Sequence, residues 1–145
     1  MKKVNITAVI LLVFVSVSCS QSTPTTPATP KKKASIELEL KNKNWGGYSA
    51  FLLIKGTAMI SCTNEVGGRI TYLDVTLYKE NEIICSYLFD GGTVQPYGKL
   101  MIDFGITVSW APEDRKTRPF KLMMRIEGTD NSDYKIDISR YWTLQ

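Results

Sequence analysis

Residues 70–78 read Ile-Thr-Tyr-Leu-Asp-Val-Thr-Leu-Tyr. In an extended chain Leu73, Val75 and Leu77 fall on one face, and Tyr72, Asp74, Thr76 and Tyr78 on the other. Side chains of a β-strand alternate between faces with a period of two, so this stretch predicts a strand with one buried side. The β-branched and aromatic residues in it suit a pleated surface.

The same period continues on either side. Lys79-Glu80-Asn81 reads as a hairpin turn into a second strand at Ile83–Phe89. Leu100–Trp110 alternates through Ile102, Phe104, Ile106 and Val108, and Phe120–Glu127 and Tyr134–Trp142 end the series. Upstream, Ile36, Leu38 and Leu40 alternate with Glu37, Glu39 and Lys41. Phe51–Cys62 is rich in β-formers, and Gly56 within it predicts a bulge or a break into two strands. Turn signals separate the runs: Gly46-Gly47, Gly67-Gly68, Gly91-Gly92, Pro96-Tyr97-Gly98 and Asp130-Asn131-Ser132. No window keeps a helical period. The expectation is an all-β, antiparallel two-sheet, immunoglobulin-like sandwich of about seven strands spanning residues 34–145. A domain of that size buries roughly 65% of its unfolded surface, enough for one core.

The chain's start is built differently. Met1-Lys2-Lys3 is followed by a nearly unbroken apolar run, Ala8–Val17, and then by small residues up to Cys19. This is the order of an export signal. The run is shorter than the ~20 residues needed to cross a bilayer. Val15-Ser16-Val17-Ser18-Cys19 resembles a bacterial lipobox, so residues 1–18 are expected to be removed and Cys19 to carry palmitate and related acyl chains as the first mature residue. Ser20 after the cysteine, by the same resemblance, directs the protein to the outer membrane or the cell surface. Residues 19–33 then form a linker. Ser20–Pro30 is a Ser/Thr/Pro run with nothing to bury, extending to roughly 40 Å as far as Lys33.

Three cysteines are an odd number for an exported chain. With Cys19 acylated, Cys62 and Cys85 remain as a candidate disulfide in an oxidising compartment. The competing reading is two small buried side chains.

The formal charge is +4, from 18 basic and 14 acidic residues. Lys2 and Lys3 leave with the signal, and Lys31, Lys32 and Lys33 precede the domain, which leaves 13 basic residues against 14 acidic ones. A near-neutral domain of mixed charge lacks the basic footprint of a nucleic-acid binder. The three linker lysines suit a solvated spacer or anionic headgroups.

Gly56–Asn64, Leu73-Asp74-Val75-Thr76-Leu77-Tyr78, Ile83-Ile84, the turn at Pro96–Gly98 and the strand through Phe104 together resemble the FxLYD domain and the related late-embryogenesis-abundant type 2 domain. Lys79-Glu80-Asn81-Glu82 and Pro96-Tyr97-Gly98-Lys99 depart from that pattern at its turns. The resemblance covers roughly residues 53–110 and implies a non-catalytic, extracytoplasmic sandwich. It carries no functional residues over.

Chemistry is sparse. The chain has no histidine, which removes Ser-His-Asp and Cys-His catalysis and every histidine-containing zinc site. No metal ligand set and no cofactor is expected. Glu113-Asp114 and Asp130/Asp133 read as solvated loop carboxylates; a calcium loop at Asp130–Asp133 lacks the glycine and late glutamate of an EF-hand. An enzyme is therefore not expected, and a hydrolase using serine and lysine would have no identifiable pair.

Binding residues are the better candidates. Asn44-Trp45-Gly46-Gly47-Tyr48 places two aromatics in a glycine-rich loop, and Trp110–Pro119 is a proline-bounded, charge-dense loop containing Arg115. Trp45, Tyr48, Trp110 and Arg115 form the candidate binding loops, with core packing as the competing reading for each tryptophan. The leading expectation is a lipid-anchored envelope module that engages a protein partner through loops or an edge strand. The alternative is a carbohydrate- or peptidoglycan-binding domain with Trp45, Tyr48 and Trp110 as stacking faces.

Overall fold

The computed structural model describes residues 29–47, 51–109 and 120–144. The expected signal segment 1–18, Cys19 and most of the expected linker lie outside the described residues, as do Tyr48, Trp110, Glu113-Asp114 and Arg115. The chain divides into two units, Met1–Pro30 and Lys31–Gln145, and the described strands lie in the second.

The described residues form seven: β1 (Ile36–Gly47), β2 (Phe51–Cys62), β3 (Gly68–Lys79), β4 (Glu82–Val94), β5 (Lys99–Ser109), β6 (Phe120–Asp130) and β7 (Lys135–Leu144). They form a three-stranded sheet in the order β1-β2-β5 and a four-stranded sheet in the order β4-β3-β6-β7, and every pairing is antiparallel. The expected all-β sandwich is the observed one.

Alternation builds its core. Leu52, Ile54 and Ile60 from β2, Leu73, Val75 and Leu77 from β3, Ile106 from β5, and Leu122, Met124 and Ile126 from β6 are fully buried between the sheets. Each such side chain contributes about 1.5–3 kcal/mol by leaving water. Ile70 is also buried although it is out of phase with Leu73. A register shift against β6 between Ile70 and Tyr72 accounts for it: the bulge adds one residue and returns Ile70 to the inner face.

Two glycine signals read as turns are strand residues. Gly46-Gly47 ends β1 opposite Leu53 and Leu52. Gly91-Gly92 lies inside β4, where a side chain on Gly91 would collide with the backbone carbonyl of Ile70. Glycine is needed there for a close backbone approach beside the bulge and not for a turn. Gly56 breaks nothing, since β2 is continuous; the irregularity is in its neighbour β1, between Lys41 and Asn44.

The lysine run is not a free spacer. The compact unit begins at Lys31, and Lys31 pairs with Asp133 at 2.8 Å and Lys32 with Glu65 at 2.6 Å. Asn64 Nδ2 donates to the Lys33 carbonyl at 2.8 Å and the Thr63 N–H to the Ser35 carbonyl at 2.9 Å. Lys31–Ser35 thus straps across the end of the sandwich formed by the β2–β3 loop and the β6–β7 turn.

Candidate functional site

Asp130, expected to be a solvated carboxylate, is buried. Its Oδ1 accepts the N–H groups of Ser132 and Tyr134 at 2.8 and 2.9 Å, and its Oδ2 accepts that of Ala34 at 2.8 Å. Burial favours the neutral acid, yet the N–H groups of Ala34, Tyr134 and Ser132 outweigh it and hold the pKa below the ordinary aspartate value. With both oxygens occupied by backbone donors, this carboxylate closes a turn and a strap. Among the described residues no cluster of three or more His, Cys, Asp or Glu side chains is placed to hold a metal ion.

Cys62 and Cys85 are both unbonded thiols, which corrects the expected disulfide. Cys62 ends β2 at the strapped end, where its N–H bonds the Gly98 carbonyl. Cys85 lies opposite Leu77 near the other end of β3. Nine residues of strand, roughly 30 Å, separate Gly68 from Leu77, whereas a disulfide needs Cα atoms within about 7 Å. Burial pushes the Cys85 thiol pKa up.

Of the candidate binding-loop residues, only Trp45 is described. It stands in β1 opposite Ile54, half-buried and packed against the core, so it is a strand residue and not a loop aromatic. Near the chain's end Trp142 likewise packs on the core, but Tyr141 is exposed. Tyr78, Lys121, Tyr141 and Trp142 line a shallow depression beside the β3–β4 turn, with Glu80 at its rim.

The largest departure from a sealed surface is β4. Ile83 and Leu88 are 62% and 69% exposed, and Ile84 and Tyr87 are also exposed. Strand order explains this: among the described residues β4 pairs only with β3, which leaves its other edge without a described partner strand. Leu88 projects from the outer face opposite Asp74, with Ser86 and Asp90 two residues to either side on β4. Asp74 Oδ1 accepts the hydroxyls of Thr76 and Ser86 at 2.9 and 2.7 Å. On the inner side the Tyr87 hydroxyl donates to the Thr107 carbonyl of β5 at 3.3 Å, bridging the two free edges on this flank.

The four edge strands differ in one respect. β1 carries Lys41 and Lys43, β5 carries Lys99, and β7 carries Lys135 and Arg140. Charged side chains, lysine above all, discourage an open edge from pairing with another chain. β4 has no basic residue, only Glu82 and Asp90. Sequence inspection found this strand as Ile83–Phe89 but not its continuation to Val94 or its exposure, because apolar residues in a strand look alike whether the strand is central or at an edge.

On the same outer sheet face, Arg125 forks onto Asp137 through Nε and Nη2, both at 2.9 Å. The guanidinium, with Lys135 beside it, holds the Asp137 carboxyl well below the usual carboxylate range. These groups satisfy one another.

No family model matches the chain, and no curated protein matches it either. Comparison with solved structures gives several matches. A Northeast Structural Genomics Consortium target, SoR45, superposes with a TM-score of 0.55 at 11% identity, covering 77% of this chain and 84% of its own. A protein from Archaeoglobus fulgidus gives 0.46 at 14% identity over 74% of this chain and 96% of its own. A protein from Arabidopsis thaliana, solved in solution, gives 0.41 at 18% identity over 85% and 87%. At 11% identity the likeness to the first is one of fold alone: this chain is a seven-stranded antiparallel β-sandwich similar in architecture to SoR45.

Proposed function

We propose that this chain is a non-catalytic module, tethered to the cell envelope by acylation of Cys19, that engages a protein partner. The observation that carries the reading is that Ile83 and Leu88 on the outer face of β4, and Ile84 and Tyr87 beside them along the strand, are apolar and exposed although β4 is an edge strand of the described sheet. Apolar patches of this kind on a folded domain mark interaction surfaces. The lipobox-like segment before Cys19 and the Ser/Thr/Pro run after it supply the tether. Recovery of the full-length chain from native membranes after chemical cross-linking should bring down one protein reproducibly. Repeated recovery of the chain alone would contradict the proposal.

A second reading has an observation of its own. Tyr78, Tyr141 and Trp142 line a depression with Lys121 and Glu80, and flat aromatic faces flanked by polar groups suit stacking against a sugar ring. Addition of soluble cell-wall fragments should quench tryptophan fluorescence, and a Tyr141→Ala variant should lose the effect. Unchanged fluorescence removes this reading.

A further inference from the structure

We infer that the open edge of β4 accepts an extended, basic segment of the partner as an additional strand of the four-stranded sheet. The inference rests on the protein-partner reading above and specifies its chemistry. An edge strand offers unpaired backbone N–H and C=O groups, and an incoming strand satisfies them while its alternate side chains find specific neighbours. β4 is 13 residues long and is the edge that carries no lysine or arginine, so it lacks the feature that keeps the other three edges apart from foreign strands.

The side chains around the edge select the occupant. Leu88, 69% exposed, lies on the outer face with Asp74 opposite and Asp90 two residues along. Glu82 adds a third carboxylate at the start of the strand. An apolar platform beside carboxylates suits a long cationic side chain, whose methylene stem covers Leu88 while its head group meets Asp90. An acidic segment would bring like charges together. The opposite-charge arrangement sets both encounter rate and register.

A second copy of this chain fits less well. Each copy of β4 brings Glu82 and Asp90 and no basic residue, so a pair of them sets carboxylates near carboxylates with no cation to offset them. Two carboxylates directly opposite one another destabilise a strand pair.

The test uses isotope-labelled full-length chain and two short synthetic peptides of alternating valine and threonine, one with a central arginine and one with a central glutamate. The arginine peptide should perturb the amide resonances of β4, and the glutamate peptide should bind about tenfold more weakly. Asp90→Lys, an exposed substitution, should reverse that order. Equal binding of both peptides, no binding of either, or an unchanged order in Asp90→Lys overturns the inference. So does perturbation confined to residues away from β4, or self-association abolished by Leu88→Lys, which would make a second copy the occupant. None of these outcomes depends on recovering a protein from membranes, so the strand-addition inference can fail while the partner reading stands.

Discussion

The N–H of Ala34 donates at 2.8 Å to the carboxylate of Asp130, 96 positions away in the sequence. This bond joins the segment that leads into the first strand to the turn between the last two. The Lys31–Asp133 pair and the bond from the Tyr134 hydroxyl to the Lys31 carbonyl flank it. The segment Lys31–Ala34 is therefore held at a fixed place on the end of the sandwich.

Asp130→Asn keeps one acceptor oxygen and replaces the other with a donor facing the Ala34 N–H. A buried group left without its partner costs about 1–3 kcal/mol, and a stability loss of that size is expected in urea unfolding at neutral pH. The pH dependence has a defined sign. Because the folded pKa of Asp130 lies below the unfolded one, its contribution is complete above the unfolded value of about 3.9. It is lost as acidification carries the pH down through the folded value. The variant should therefore show a shallower acid limb than the parent.

Gly91→Ala should destabilise by about 3 kcal/mol, since its Cβ would meet the Ile70 carbonyl inside a paired strand. Gly46→Ala serves as the comparison: nothing lies within 4 Å of a Cβ at that position, and a change within about 0.5 kcal/mol is expected. Thermal unfolding of the two variants distinguishes a close-approach glycine from a strand glycine with open space around it.

Alkylation followed by mass measurement should find Cys62 and Cys85 both modified in unfolded, unreduced protein. In the folded state both should react slowly, because Cys62 is buried and burial raises the Cys85 pKa, which lowers the fraction of reactive thiolate. Resistance to alkylation until reductant is added would show a bond that the placement of the two residues does not allow.

Leu88→Lys and Leu73→Ala should part company. Leu73 is fully buried, and its truncation should cost about 2–5 kcal/mol. Leu88 is largely exposed, and its replacement should shift stability by no more than about 0.5 kcal/mol. A large loss at Leu88 would mean that it packs within the domain and is not a contact surface.

Local periodicity made much of this fold legible. Leu73, Val75 and Leu77 declare their face by spacing alone, and the turn at Glu80-Asn81 follows from polar residues between two β-rich runs. Features that depend on distant partners were not legible. Ile70 reads as out of phase until β6 supplies a bulge. Gly91 reads as a turn until the backbone of β3 is placed beside it. Lys31 and Lys32 read as spacer until Asp133 and Glu65 reach them. The candidate surface is legible least of all. Ile83, Tyr87 and Leu88 resemble core residues in sequence, and only the order β4-β3-β6-β7 shows that no described strand pairs with their outer edge.

Leu88 on β4 and Met101 on β5 are similarly exposed apolar residues, at 69% and 59%, on edges that differ in basic character. A photo-reactive amino acid placed at each position in turn, in the full-length chain within native membranes, compares them directly. Position 88 should yield a single discrete protein adduct that disappears in Asp90→Lys, and position 101 should yield none. Adducts at 101 and none at 88 would contradict the assignment of β4 as the docking edge.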